Sequence, residues 1–266
     1  MLFSAGRSTA STNPIVASCR ARLWALGLWL GRVAALMPPV AATAAEFTPE
    51  QRQAIEAIIR DYLTKNPEAM LDARQAAKDK IEGEAHDKAS TVLATRRHEV
   101  FDDPDAPVAG NPKGDATLVK FFDYRCPYCK QVVPAIEALL AEDKQLRFVY
   151  KEFPVLGPDS VTAARAALAS HKQGKYDAMH RAMMALKGPI NEAAVFQLAG
   201  SVGVDVDRLK LDMAVPEIDR MLKANANLAA ALDIRGTPGF VIGNEIVPGA
   251  ISLDALKQLI AAARHK

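Results

Sequence analysis

The 266-residue chain is long enough for one sizeable domain with a smaller element beside it. Half of it is apolar and 24% is charged, an ordinary globular composition that excludes a disordered, collagenous or channel-forming chain. The formal charge of +2 belongs to the first 45 residues, which hold Arg7, Arg20, Arg22 and Arg32 and no acid; the rest carries 29 bases against 31 acids, so no nucleic-acid partner is expected.

Those first residues read as a secretory signal over 1–45. Arginines precede an apolar run from Leu23 to about Val40, and Ala42-Thr43-Ala44 supplies a small-residue cleavage site. The run is nearly long enough for a membrane anchor, but Arg32 and Pro38-Pro39 interrupt it. Residues 46–101 are expected to be helical. Thr48-Pro49-Glu50-Gln51 is a capping-box pattern, and Ile55, Ile58, Ile59 and Leu63 follow at helical spacing. That helix should end near Lys65. Asn66-Pro67 should cap a second one running to about Arg97, whose apolar positions are too sparse and small for a private core. Such a helix needs a partner, either its own domain or copies of itself. The prolines, glycines and acids of 102–115 predict a linker.

From 116 to 266 the pattern is that of a mixed domain. Ala116–Phe122 and Arg147–Tyr150 are strand candidates, with a helix from Cys126 to about Ala141 between them. A helical insertion follows at about 158–232, with breaks at Gly174, Lys187-Gly188-Pro189 and Gly203. Phe240–Ile242 and Glu245–Val247 flank Gly243-Asn244, a two-residue hairpin turn, and Ser252 should cap the last helix.

Without Cys19, which lies in the leader, two cysteines remain, Cys126 and Cys129. An exported chain with one such pair has no disulfide framework, so the pair is a redox centre, half a metal site, or an accident. Thiol–disulfide exchange needs a thiolate and a second thiol close enough to resolve the mixed disulfide. Cysteines at i and i+3 on a first helical turn meet both needs, since unpaired amides and the helix dipole stabilise negative charge there. Pro127 suits the first helical position, which makes Cys126 the exposed attacking sulfur and Cys129 the buried resolving one. Zinc would require two more ligands, and the five histidines show no tight ligand spacing, so no metal or cofactor is expected. Pro238, just before a strand, suggests a cis Thr237–Pro238 bond that would expose the backbone of Thr237 to an extended substrate.

Phe121-Phe122-Asp123-Tyr124-Arg125-Cys126-Pro127-Tyr128-Cys129-Lys130, Glu152-Phe153-Pro154-Val155-Leu156-Gly157, Gly236-Thr237-Pro238-Gly239-Phe240 and Val247-Pro248-Gly249-Ala250 together resemble the DsbA-like periplasmic oxidoreductases. The helices from Phe47 to Ala73 look like the N-terminal extension of Com1-like and ScsC-like proteins. The resemblance covers about residues 47 to 265. It implies an α/β thioredoxin fold with an inserted helical domain behind an N-terminal helical extension that trimerises in some relatives. It also implies a reactive Cys126, a cis Pro238, and Thr237 and Pro238 holding the substrate peptide. Tyr128 completes the Cys-Pro-Tyr-Cys motif. Threonine before the proline is similar to the isomerases DsbC and DsbG, which favours isomerase or reductase work. One position departs from the pattern: Lys120 stands where relatives often place a glutamate that can relay a proton to the resolving thiol. Glu152 on the neighbouring strand is expected to take over that role and pair with Lys120, the alternative being two solvated charges at strand ends.

The resulting expectation is a periplasmic disulfide isomerase or reductase acting on exported proteins with cysteines or disulfides, reset by a membrane redox partner. The alternatives are a disulfide-donating oxidase of the DsbA type and a copper(I)-binding or holdase module, since soft thiolates bind copper(I).

Overall fold

A computed structural model describes residues 47–265, and the expected signal segment lies outside them. The chain divides into two units between Arg60 and Asp61. In the first, Thr48 and Gln51 form the reciprocal capping box, with N–H to side-chain oxygen distances of 2.9 and 3.2 Å. It starts α1, Pro49–Lys65, in which no residue is buried.

The second unit carries α2, Glu68–Thr95, and the short α3, Arg97–Phe101. Asn66 does not cap α2. Its Nδ2 donates 2.8 Å back to the Tyr62 carbonyl and closes α1, leaving Pro67 at the cap position without a side-chain acceptor. In α2 only Ala89 and Leu93 are buried.

A five-stranded sheet follows, in the order β1-β3-β2-β4-β5. Its strands are β1 (Val108–Gly110), β2 (Ala116–Phe122), β3 (Leu146–Glu152), β4 (Gly239–Ile242) and β5 (Glu245–Pro248). β2 and β3 run parallel, and every other pair is antiparallel. β1 corrects the expected linker. It lies inside 102–115 and pairs with β3, Val108 opposite Val149, so part of that stretch belongs to the sheet. The turn residues around it supplied the linker signal, and three residues are too few to show alternation. Arg147 donates to the Phe101 carbonyl. Lys151 Nζ bonds Glu99 O at 2.9 Å and Asp103 at 2.5 Å, fixing α3 and its exit to β3.

Between β2 and β3 the expected helix is divided into α4, Pro127–Gln131, and α5, Val133–Glu142. Pro134 has no N–H for the Lys130 carbonyl, which accounts for the break. The insertion consists of α6 (Pro158–His171), α7 (Tyr176–Ala185), α8 (Glu192–Ser201), α9 (Val206–Met213) and α10 (Pro216–Ala231). Its breaks fall at the three expected places and at a fourth, before Pro216. The β4–β5 hairpin turns at Gly243-Asn244, where Gly243 has φ +57°. Ser252 caps α11, Leu253–Arg264, through the Ala255 N–H. This is a thioredoxin fold with an inserted helical domain.

The period of two along β2 builds a core on each face of the sheet. Leu118 and Phe122 join Cys129, Ile136 and Leu139 on one side, whereas Val119 and Phe121 meet Leu93, Phe101 and Leu232 on the other. Fully burying each such side chain contributes roughly 1.5–3 kcal/mol. The same alternation turns Lys120 towards the face that holds the cysteines.

Candidate active site

Cys126 is the N-cap of α4 and Pro127 occupies its first turn, as the motif requires. Both cysteines are free thiols. Cys129 is wholly buried. Cys126, expected to be exposed, is only 4% exposed. The Cys126 thiol donates to the Thr237 carbonyl at 3.1 Å, and the Thr237–Pro238 bond is cis. The Pro238 carbonyl is occupied by the Gly249 N–H at 2.8 Å, which ties this loop to the end of the hairpin. Tyr128, Val155 and Leu156 present exposed apolar surface.

Asp123 organises the approach to the redox turn. Its buried carboxylate accepts from Arg125 N (2.7 Å), Val155 N (2.8 Å), Leu156 N (3.0 Å) and Ser160 Oγ (2.8 Å), while its carbonyl accepts from Cys126 N. Arg125 donates to the Leu156 carbonyl. The segment before the cysteines is thereby bound to the loop leaving β3.

Lys120 and Glu152 show neither the expected pairing nor the alternative of two solvated charges. They form no ion pair, and they are not solvated, since each is 1% exposed. Glu152 lies beside Phe122 in the parallel register, two residues along from the Lys120–Tyr150 pair. Lys120 Nζ donates to the Cys129 carbonyl at 3.3 Å and sits 5.4 Å from the Phe122 ring centroid. Glu152 Oε1 instead accepts from Tyr124 (2.9 Å) and Tyr176 (2.7 Å). Its Oε2 is the one buried side-chain polar atom without a partner among the described residues.

Tyr124 gives its single hydroxyl proton to Glu152, so the 3.0 Å contact with His180 Nδ1 requires that nitrogen to be the donor. His180 packs edge-on to Phe122 and stacks on Tyr176. Burial drives its pKa well below the usual histidine value, which keeps the ring neutral. Burial also governs the other groups. It pushes the Cys129 thiol up to about 12, against a hydrogen bond from the Asp123 backbone and the charge of Lys120. It lowers Lys120 to about 8, and it raises Glu152 to about 8 despite the two tyrosine hydroxyls.

Nothing in the sequence alone gives Asp123, Tyr124 or Tyr176 a role, and His180 reads from it as a surface or packing residue of the helical insertion. Asp123 and Tyr124 lay within the quoted motif, and polar groups between an apolar strand and a redox turn are a usable signal. Tyr176 and His180 are four apart on α7, one helical face, but nothing local says what that face meets. No group of three or more potential ligands that could hold a metal occurs among the described residues, and none of their helices is long and apolar enough to cross a membrane.

Residues 117–261 match the DSBA-like thioredoxin domain family, and residues 51–84 match the N-terminal domain of the copper resistance protein ScsC. The chain is similar to a thioredoxin-like oxidoreductase from Silicibacter pomeroyi, at 43% identity and a TM-score of 0.64, covering 64% of this chain and 99% of that one. It is also similar to Proteus mirabilis ScsC in a transitional conformation, at 28% identity and a TM-score of 0.61, covering 82% and 99%. Among curated proteins it is similar to the Na(+)/H(+) antiporter NhaA 1 of Salinispora arenicola, 29% identical over 164 residues, 60% of this chain. The chain spans about a quarter of the length of the curated relatives it matches.

Proposed function

The chain belongs to the DSBA-like thioredoxin domain family, and from that premise we propose that it is a periplasmic thiol–disulfide oxidoreductase that reduces or isomerises disulfides of exported proteins. Cys126 attacks a substrate disulfide, and the Thr237–Pro238 segment holds the substrate backbone. Cys129 then attacks Cys126 and releases the substrate sulfur as a thiol. The observation that carries the reading is the single contact set in which the Cys126 thiol meets the Thr237 carbonyl at 3.1 Å while Cys129 lies buried on the same helical turn. A substrate strand pairing with Thr237 would lie along that sulfur. Tyr128, Val155 and Leu156 favour an unfolded, apolar client over a folded polar one. A membrane redox partner would reset the pair.

Isomerase work in place of disulfide donation is supported by Thr237 before the proline and by the exposed apolar residues of the N-terminal helices, which suit an assembly with several active sites. The test pairs recovery of activity from a scrambled disulfide-bonded enzyme with the reduction potential of the Cys126–Cys129 pair against glutathione. The expected result is isomerisation that Cys126→Ser abolishes, with a potential well below that of DsbA. A potential near about −120 mV without isomerisation would make the protein a disulfide donor instead.

A further inference from the structure

The resolving step poses a chemical problem. Cys129 must lose its proton to become a nucleophile, yet burial disfavours its thiolate. A group that accepts this proton must border Cys129, be without its own proton for part of the time at working pH, and reach solvent.

The charged and titratable groups facing this region come from every packed element. α4 supplies Cys126 and Cys129, β3 supplies Tyr150 and Glu152, and the redox turn supplies Asp123 and Tyr124. α7 contributes His180 and Arg181, and α5 contributes Glu137. Glu152 is taken up by its two tyrosines, burial keeps the Tyr150 hydroxyl protonated, and burial makes His180 too weak a base to take the proton. Lys120 alone among the basic side chains bonds Cys129, at the carbonyl, and its charge acts on both sulfurs. That carbonyl is its one hydrogen-bond acceptor among the described residues.

Lys120 also borders a cavity of about 30 Å³ between α5, α7 and β3. Tyr150, His180 and Lys120 form its buried end, whereas Glu137 and Arg181, both exposed, form its mouth. A water requires about 10–15 Å³ of such space, so the cavity has room for one or two.

We propose that Lys120, as the neutral amine, takes the proton of Cys129 when the mixed disulfide is resolved and exchanges it with solvent through this cavity. The proposal rests on the oxidoreductase reading above. In the step, the Cys129 S–H proton passes to the Lys120 nitrogen. The sulfur lone pair forms the bond to Cys126, and the bond between Cys126 and the substrate sulfur breaks. That sulfur leaves with the electron pair and is protonated from water. The cysteine pair loses two electrons and the substrate disulfide gains them. With Lys120 lowered to about 8, about a tenth of it is neutral at pH 7, and the resolving rate should rise about tenfold from pH 6 to 7 and level off above 8.

The test uses the reduced full-length protein and oxidised glutathione, following release of the second glutathione by stopped flow between pH 5.5 and 10. The wild type should show an inflection near 8. Lys120→Gln should slow resolution about 100-fold at pH 7.5 and remove the inflection. Lys120→Arg keeps the charge but supplies no base, so it should remain slow; if it restores the rate, Lys120 acts by charge alone and the proposal is overturned. Nitrogen-15 titration of the lysine side chains in the wild type needs no variant to fold. One amine should titrate near 8 and shift when the cysteine pair is oxidised, and the proposal fails if none titrates below about 9.5. Cys129→Ser separates the two levels. If it forms no adduct between Cys126 and glutathione, the oxidoreductase reading falls with the proposal; if it forms the adduct while the resolving profile lacks the inflection, only the proposal falls.

Discussion

Glu152 carries the largest conflict between burial and charge at the scale of one residue. Its carboxyl has two tyrosine donors and still titrates near 8, because desolvation outweighs both hydrogen bonds. A carboxyl raised in the folded state keeps its proton while the unfolded chain loses it from pH 4.5 upward. The native state then binds more protons than the unfolded one, and stability falls as pH rises from about 4.5 to about 8. Glu152→Gln has no such proton to hold. Its denaturation midpoint, compared with wild type at pH 5, 6.5 and 8, should gain progressively, and a constant difference would show that Glu152 does not titrate in this window. None of this could be read from Glu152 in the chain. A glutamate at a strand end is usually solvated, and only the packing of α10 over β3 and the approach of Tyr176 from α7 bury this one.

At the scale of elements, the site depends on how the loop after β2 is joined to the loop after β3. Asp123 makes that joint with four accepted hydrogen bonds, three of them from backbone amides. Asp123→Ala should cost about 3 kcal/mol of stability, measured by urea titration, and should loosen the Val155–Leu156 segment so that its amides exchange faster with solvent. Asp123→Asn should recover part of the loss, because one amide oxygen still accepts. Helix starts, by contrast, were legible beforehand. Thr48 and Ser252 act on N–H groups three residues away, so their role is written in the local sequence. Asn66 failed as a cap because the Tyr62 carbonyl at the end of α1 competes for its side chain.

For the whole molecule, the unresolved account is that of the apolar side chains on the N-terminal helices. Ile58 and Ile59 in the first unit, and Tyr62, Met70, Leu71 and Ile81 in the second, are each more than half exposed. Single exposed apolar residues are unremarkable, but a recurring set along helices with almost no buried positions calls for a partner surface. The assembly with several active sites proposed above would cover them through self-association of the chain. Light scattering of the purified protein should therefore give a multiple of the chain mass. The double change Ile58→Glu and Ile59→Glu should lower it to that of one chain, leaving glutathione exchange intact while isomerisation falls at least tenfold. A single-chain mass for the unaltered protein would leave the isomerase reading without its structural basis.

Features set by neighbours along the chain could be read from the sequence. The Cys126–Cys129 turn, the hairpin at Gly243-Asn244, three of the four breaks in the helical insertion and the apolar strand β2 all follow from short local patterns. The resemblance carried by those motifs reached further, to the fold and the Thr237–Pro238 loop. Only the tertiary structure could pair β1 with β3, separate Lys120 from Glu152, and surround each with its own partners. Ion pairing and titration depend on desolvation and on which faces meet, and the groups involved lie as far apart in sequence as Tyr124 and His180.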